Sequence, residues 1–122
     1  MTAKQVWLGS DDEIAIIILD KRIVDDDNPQ GTPIPFVSNG VSKMKMFRFD
    51  NNAVLADSSV DERISFDDAG KITIKLGGMD ESQLSKFKSY STYIKAYSSA
   101  YQNGQTIVHQ KRPDSNLSIT VN

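Results

Sequence analysis

The stretch KITIKL at residues 71–76 alternates apolar and polar side chains without interruption. In an extended chain, Ile72, Ile74 and Leu76 lie on one face, while the lysines and the threonine lie on the other. This period of two predicts a β-strand with one buried face. A turn of hairpin length precedes the strand, and residues 60–66 alternate in the same way before that turn. The segment therefore predicts a β-hairpin.

Short apolar runs separated by turn residues continue in both directions along the chain, which is typical of a sandwich or a barrel. Residues 25–35 are predicted to be a loop, because three prolines there exclude a regular helix. In the third strand, Met44 and Met46 share one face while Phe47 and Phe49 share the other, so we expect a β-bulge between them. Strands are predicted at residues 4–8, 13–24, 41–49, 60–66, 71–76, 89–101, 105–112 and 117–121.

One short helix is predicted over residues 79–88. Asp80 or Ser82 would be its N-cap, and Leu84 and Phe87 would form its buried face.

The stretch 89–101 fits two interpretations. Tyr93, Tyr97 and Tyr101 recur every four residues, which suits a helix face, and all three have odd numbers, which suits one face of a strand. We interpret it as a strand, because it is rich in Ser, Thr and Tyr, which are middling helix formers. It also leads into Asn103-Gly104, a strong signal for a hairpin turn.

The length of 122 residues suits one domain, since two cores would each have too few residues. We predict a single all-β domain over residues 1–122, with about seven or eight strands and one short helix. The strand order indicates an immunoglobulin-like antiparallel β-sandwich, and a small barrel is the alternative. The residues predicted to be buried are Ile17, Ile64, Phe66, Ile72, Ile74, Leu76, Ile94, Ile119 and Val121.

The second predicted strand is apolar on both faces, whereas a sandwich strand normally hides one face and wets the other. Ile14, Ile16 and Ile18 would form a sticky patch if they faced solvent. The short helix, the proline-rich loop carrying Ile34 and Phe36, or another subunit could cover them. We expect another subunit and therefore a homo-oligomer, with the three isoleucines as interface residues.

A row of tyrosines forms the second candidate surface. Tyr93, Tyr97 and Tyr101 share one strand face with Lys95, while the opposite face is more apolar. Tyrosine is enriched at interfaces, so the row could bind a protein partner or a sugar. Alternatively, the tyrosines pack against neighbouring strands and cover the sheet.

Residues that could support catalysis or bind a metal form no recognisable constellation. The only histidine, His109, lies in a predicted strand, and no serine lies in a Gly-x-Ser-x-Gly turn. Asp25, Asp27 and Asn28 are the best calcium candidates, but they lack the spacing and final Glu of an EF-hand. Without cysteine, a tetrahedral zinc site has too few ligands. We predict no enzyme, no cofactor and no metal.

The carboxylates that could act in pairs lie mostly in predicted turns, where Asp is favoured for backbone reasons. They are Asp11-Asp12-Glu13, Asp25-Asp26-Asp27, Asp67-Asp68 and Asp80-Glu81.

Composition narrows the classes of partner. The net charge of −2 argues against a general nucleic-acid binder, which usually carries a strong basic field. No apolar run approaches the length of a membrane helix, about 20 residues, so we predict no membrane insertion. Residues 1–8 lack the charged-then-apolar pattern of a signal peptide.

Read in order, the chain resembles the small immunoglobulin-like domains of tailed-phage virion proteins, closest to the N-terminal domains of baseplate and tail-fibre proteins of the upper-baseplate type. The resemblance begins with a β-rich run followed by a Gly-x-Pro-Ile turn, and it continues through a turn and strand to a terminal β-strand. It is carried by residues 13–24, GTPIPF at 31–36, DAGKITI at 68–74, YIKAY at 93–97, Asn103-Gly104 and ITV at 119–121.

The resemblance implies a virion location, with assembly in the host cytoplasm into symmetric oligomers, and it implies no catalytic residues. Because no coiled-coil or receptor-binding region follows the last strand, it implies a stand-alone adaptor, a decoration protein or a baseplate component. The expected function is that of a phage structural protein that docks onto itself or onto other virion proteins. The alternative is a β-sandwich module that binds carbohydrate or a host surface, with a host glycan as its ligand.

Overall fold

The computed structural model describes residues 4–20, 22, 24, 26–27, 29–79, 82–108 and 117–122. Regular structure in these residues is almost entirely β-strand, apart from a 3-10 turn at Leu76–Gly78. The strands are β1 (Lys4–Val6), β2 (Ile14–Ile17), β3 (Leu19–Asp20), β4 (Thr32–Pro33), β5 (Lys43–Arg48), β6 (Val54–Asp57), β7 (Ile64–Phe66), β8 (Lys71–Ile74), β9 (Ser89–Tyr97), β10 (Gln105–Val108) and β11 (Leu117–Val121).

The hairpin predicted from residues 71–76 is formed by β7 and β8, which pair antiparallel. Asp67 organises its turn, because its carboxylate accepts the backbone N–H groups of Ala69 (2.8 Å) and Lys71 (3.1 Å). Gly70 follows with a φ of +72°, a left-handed conformation that glycine adopts without a Cβ clash. The sequence thus forms the hairpin through alternation in the strands and Asp-Gly chemistry in the turn.

The larger sheet has six strands in the order β1-β11-β9-β5-β6, and β10 pairs with β9. Strand β9 is central: it pairs with β5 on one side and with β10 and β11 on the other. All neighbours are antiparallel except β1 and β11, which run parallel.

The smaller sheet has the order β2-β8-β7, and β3 pairs separately with β4. Strands β2, β8 and β7 of the smaller sheet correspond to strands B, E and D of immunoglobulin-like sandwiches. In the larger sheet, β5 and β9 correspond to strands C and F, and β10 and β11 together correspond to strand G. The predicted immunoglobulin-like sandwich is therefore confirmed. There are more segments than the eight predicted strands because the strand predicted over residues 13–24 is divided into β2 and β3, and because β4 and β6 were not predicted.

The core lies between the two sheets. Inward side chains alternate along β5, β8 and β9, so each strand contributes every second residue. Seven of the nine residues predicted to be buried lie in this core, and Phe66 packs against it while half-buried. The largest side chains with almost no exposure are Met44, Met46, Leu55, Ile64, Ile72, Ile74, Leu76, Ile94 and Ile119, together with Val6 and Val121.

The prediction that Ile17 is buried is wrong, since its side chain is 59% exposed. Along β2 the residues alternate in exposure, and Ile14 and Ile16 pack against the core. Both faces of this strand are apolar in sequence, so alternation alone could not say which face is inward.

The short helix predicted over residues 79–88 is also wrong, because the described part of that stretch contains no helix. Two of its backbone N–H groups bind other partners instead of the carbonyl four residues earlier. Ser85 donates its N–H to Tyr90 Oη (2.7 Å), and Phe87 donates its N–H to the Val121 carbonyl (2.6 Å). Tertiary hydrogen bonds have replaced helical ones here.

The two residues expected on the buried face of that helix differ in exposure. Leu84 is buried in the core, whereas Phe87 is 85% exposed. Phe87 has a φ of +64°, which is rare for a bulky side chain. Of the two proposed caps, Asp80 lies outside the described residues and Ser82 begins no helix.

The ambiguous stretch 89–101 is a strand, as predicted, but it ends at Tyr97. Tyr90, Ile94 and Ala96 are buried on its inner face. Tyr101 lies beyond the strand, in the turn that leads to β10. In the described residues, no helix combines the length and the apolar character needed to span a membrane.

Candidate functional site

The outer face of the larger sheet is built by β5 and β9. These strands pair without interruption from Lys43↔Tyr97 to Arg48↔Thr92. Because successive side chains point to opposite faces, the even-numbered residues enter the core and the odd-numbered ones point outward. We call the outward set the aromatic face; it consists of Phe47, Phe49, Tyr93 and Tyr97, with Lys43, Lys45 and Lys95.

The rings of this face pack against one another. Phe47 and Tyr93 are direct cross-strand partners, and their rings stack with centroids 4.9 Å apart and an interplanar angle of 13°. Phe49 meets Tyr93 edge-on, with centroids 6.1 Å apart and an interplanar angle of 86°. Tyr93 Oη donates to Asn52 Oδ1 at 2.7 Å. This group is a fixed cluster, because each ring limits the rotamers of the next.

The three lysines bring positive charge to the rings. The ammonium groups of Lys43 and Lys45 lie 5.1 and 5.4 Å from the centroid of Tyr97. Lys95 Nζ lies 5.9 Å from the centroid of Phe47. These distances are within the range of cation–π attraction.

An acidic side chain lies at one side of this face. Asp57 Oδ2 is 3.6 Å from Lys45 Nζ, and Asp57 is largely buried at the end of β6. Burial acts to raise the pKa of Asp57, but hydrogen bonds from Ser59 N–H (2.9 Å) and Oγ (2.6 Å) and the charge of Lys45 hold it below its ordinary value. Asp57 therefore remains ionised at neutral pH and fixes Lys45.

The turn between β9 and β10 supports Tyr97 from beneath. Gly104 has a φ of +89°, and a Cβ there would lie 2.9 Å from two ring carbons of Tyr97. A side chain would displace the ring, so glycine lets the turn approach the aromatic face closely. Burial, followed by the proximity of Tyr97, raises the pKa of Tyr93, so its hydroxyl stays protonated as a donor at neutral pH.

The structure separates the candidate interface residues into two regions. Tyr93 and Tyr97 lie within the aromatic face, and Tyr101 lies in the adjacent turn with 51% exposure. Ile14, Ile16 and Ile18 belong to the opposite side of the sandwich and pack, partly buried, against the core. The exposed isoleucine of that strand is Ile17.

Sequence reasoning missed the contribution of β5 to the aromatic face. The sequence predicts a change of phase at Phe47 and Phe49, but the pairing of β5 with β9 is unbroken. The predicted bulge is present only on the other side, where the register with β6 shifts between Met46 and Phe47. The available signal was that methionines alternate with lysines and aromatics, so both faces of β5 carry large side chains.

Three of the predicted turn carboxylates, those of Asp12, Asp67 and Asp68, accept hydrogen bonds from backbone or side-chain donors. Asp68 accepts hydrogen bonds from Ser38 N–H (2.8 Å) and Oγ (2.7 Å), which lowers its pKa. Asp12 accepts the N–H of Trp7 at 2.9 Å. Within the described ranges, no group of three acidic, histidine or cysteine side chains is placed to hold a metal. Asp25, Asn28, Asp80, Glu81 and His109 lie outside those ranges.

A shallow depression opens near β7 and is lined mainly by polar side chains, including Ser58, Glu62 and Lys75. Asp61, in its wall, accepts the N–H of Arg63 at 2.9 Å. Of its serines, Ser42 donates its hydroxyl to the Tyr97 carbonyl and Ser58 accepts the Met44 N–H, so neither of these two hydroxyls is hydrogen-bonded to a base. The absence of enzymatic activity stays a prediction.

Comparison with protein-family models and with curated proteins finds no match to this chain.

Proposed function

We propose that this chain is a structural or assembly protein of a tailed-phage virion, such as a baseplate, tail or head-decoration component, that docks onto another virion protein through the aromatic face. The likeness to immunoglobulin-like virion domains supports the virion setting. The arrangement of rings and lysines on β5 and β9 supports docking, and it is the observation that carries the proposal.

The aromatic face has the physical properties of an interface core. Aromatic side chains supply large contact area and lose little rotamer freedom when they bind. Here the stacking of Phe47 on Tyr93 and the hydrogen bond to Asn52 already fix the rings before any partner arrives. Binding then forfeits little side-chain entropy, which favours affinity.

The charge of the face indicates the chemistry of the partner. Three lysines surround the rings, and only Lys45 has an acidic partner among the ion pairs of the described residues. A partner with acidic groups around an apolar centre would complement them and be steered toward the face. The overall charge of the chain is negative, so this positive patch is a local feature.

The alternative, a carbohydrate-binding module, is less well supported by the ring geometry. A sugar packs its C–H groups on an open ring face, which carries the partial negative charge. Phe47 and Tyr93 use a face against each other, and Tyr97 has Gly104 and two ammonium groups around it. Of the three candidate tyrosines, Tyr101 is the most available to a glycan, because it is half exposed in the adjacent turn while Tyr93 and Tyr97 are partly buried.

The test is incorporation into particles. Virions are produced in host cells in which a tagged version of this chain is the only version present. The virions are purified, and the copies of the chain per particle are counted by quantitative mass spectrometry. We expect wild-type chain to be present at a fixed copy number. The double variant Lys43→Glu/Lys95→Glu should reduce incorporation at least about tenfold, the effect of about 1.4 kcal/mol on binding.

Lys86→Glu/Lys88→Glu is the matched control, because both lysines are exposed and neither belongs to the aromatic face. It makes the same change of net charge and should leave incorporation unchanged. If the wild-type chain is missing from the purified particles, the virion role is refuted. Equal losses in both variants would refute the role of the aromatic face. Binding to a glycan array that Tyr101→Ala abolishes would favour the carbohydrate alternative.

A further inference from the structure

The strand segments β2 and β3 follow one line from Ile14 to Asp20 and are paired along the same edge. Strand β2 pairs with β8, and β3 pairs with β4. Gly70 marks the junction, since its carbonyl accepts the Ile18 N–H (2.8 Å) while the Ile18 carbonyl accepts the Ile34 N–H (3.1 Å). The residues from Ile14 to Asp20 therefore present one paired edge and one opposite edge, which we call the open edge.

The backbone groups on the open edge can be assigned from these bonds. In an antiparallel pair, the residues that bond to a given neighbour alternate along the strand. Because Ile18 bonds toward Gly70 and Ile34, the odd-numbered residues Ala15, Ile17 and Leu19 direct their N–H and C=O groups to the open edge. Among the described residues, no backbone group bonds to them there.

The open edge differs from the other sheet edges in length and chemistry. Strands β1 and β7 have three residues each, and β6 has a register shift and ends in Asp57. Short strands, irregular pairing and charges are the features that normally prevent edge-to-edge association. The open edge extends over seven residues, IAIIILD, of which only the last is charged.

The intramolecular covers considered from sequence lie elsewhere. Phe36, in the proline-rich loop, is buried in the core and meets Phe66 edge-on at 6.3 Å. Ile34 is engaged with Ile18 on the paired edge. Leu84 is buried in the core, so neither segment shields the exposed side chain of Ile17.

We propose that a second copy of this chain pairs with the open edge, antiparallel and about a two-fold axis through Ile17. Odd-numbered residues must face odd-numbered residues for their backbone groups to bond, which restricts the register. Centring the axis on Ile17 sets Ala15 against Leu19 of the second copy, and the reverse pair follows by symmetry. All three open residues of each copy are then paired.

Self-complementarity is the reason to choose a second copy as the occupant. Ile17 meets its own equivalent, and the small Ala15 side chain meets the larger Leu19, so the outward apolar row is buried against itself. The acidic start of the strand, with Asp12, is brought toward the end that carries Arg22, which is 88% exposed. The product is one continuous sheet in the order β7-β8-β2-β2-β8-β7.

The register gives a sharp test. Ile17→Asp and Ile17→Lys each place two like charges opposite each other at the axis, so each variant alone should be monomeric. Mixed in equal amounts, they should form a heterodimer. Sedimentation velocity is run at about 100 µM, above a micromolar dissociation constant, where wild type should show twice the mass of one chain.

A single cysteine checks the geometry, because the chain has none of its own. Ile17→Cys should form a disulfide-linked dimer on mild oxidation, since facing residues lie within disulfide range. Val37→Cys is the matched control with similar exposure, 55% against 59%, and it should link at least about tenfold more slowly. Monomeric wild type, mixing without heterodimer, or equal linking of both cysteine variants would each overturn the proposal.

Discussion

The two sheets of this sandwich treat their outward apolar side chains differently. On the larger sheet, the outward rings of Phe47, Phe49 and Tyr93 pack on one another and are bordered by lysines. On the smaller sheet, Ile17 stands exposed beside an unpaired strand edge. The rings of the first surface contact one another without a second chain, whereas Ile17 would gain most of its contacts from another strand. Outward apolar side chains in the middle of a sheet can therefore pack on one another, whereas those at the edge of a sheet indicate pairing with another strand.

The largest expected difference in stability between the two regions comes from adding a methyl group at one glycine in each. At Gly70, a Cβ would lie 2.6 Å from the Ile18 carbonyl oxygen and 2.9 Å from the Ile34 nitrogen, which are backbone atoms. Gly70→Ala should therefore lower the free energy of unfolding by about 3 kcal/mol. At Gly104 the contacts are the mobile ends of Tyr97 and Lys95, and Gly104→Ala should cost about 1 kcal/mol.

Urea unfolding followed by circular dichroism measures both variants. The two glycines have similar φ values, +72° and +89°, so each serves as the control for backbone conformation. A Gly104→Ala variant that is destabilised as much as Gly70→Ala would show that the ring of Tyr97 cannot move, contrary to this account.

A double-mutant cycle sharpens the claim that the aromatic face packs on itself. Phe47→Ala and Tyr93→Ala should each destabilise the fold, and the two losses should overlap by about 1 kcal/mol because the stacked pair is removed by either change. Ile17→Ala with Tyr93→Ala gives the control cycle across the sandwich, with an expected coupling near zero. Chemical denaturation gives all the free energies, and additive losses for Phe47 and Tyr93 would contradict the stacking.

The smallest expected effect concerns two carboxylates, Asp20 at the end of the open edge and Asp57 on the larger sheet. The side-chain and backbone hydrogen bonds from Arg22 lower the pKa of Asp20 from 3.8 to about 2, at the end of the open edge. On the larger sheet, the pKa of Asp57 is lowered mainly by hydrogen bonds from Ser59, against the effect of burial. For both groups, the stabilisation is present above the unfolded pKa and is lost as pH falls through the depressed folded value.

Salt distinguishes the two carboxylates. Near 1 M salt the Debye length is about 3 Å, so the pKa of Asp20, whose charged partner Arg22 is 88% exposed, should rise toward its ordinary value. The pKa of Asp57 should change less, because its hydrogen-bond donor Ser59 is uncharged. NMR titration of the aspartate carboxyl carbons measures both values in one sample. Equal shifts for the two groups would show that Asp57 is held by charge and not by its hydrogen bonds to Ser59.

The sequence predicts the sandwich well where one face of a strand is clearly polar. Strand β8 alternates lysine and threonine with isoleucine, so its inner face could be read directly, and Ile72 and Ile74 are buried. Where both faces are apolar, alternation defines two faces without ranking them. This is why Ile17 was assigned to the core, and why the partnership of Phe47 with Tyr93, 46 positions apart in sequence, was not found.

The helix predicted over residues 79–88 failed for a different reason. Capping residues and a spacing of three between Leu84 and Phe87 are local signals, whereas the Phe87 N–H is accepted by the carbonyl of Val121. A partner at the far end of the chain has no local signature in sequence. The candidate site was accordingly half predicted, with Tyr93 and Tyr97 found and their β5 neighbours missed.

The parallel pairing of β1 with β11 has a mechanical consequence. Lys4, Gln5 and Val6 lie beside Ile119, Thr120 and Val121, and Asn122 adds a backbone bond to Val6 (2.9 Å) and a side-chain bond to Gln5 (2.7 Å). A tension applied between residues 4 and 122 would pull these two strands past each other along their length. The bonds would then share the load and rupture together, whereas strands that are peeled apart lose their bonds one at a time. The sandwich should therefore resist unfolding when it is stretched between these two ends.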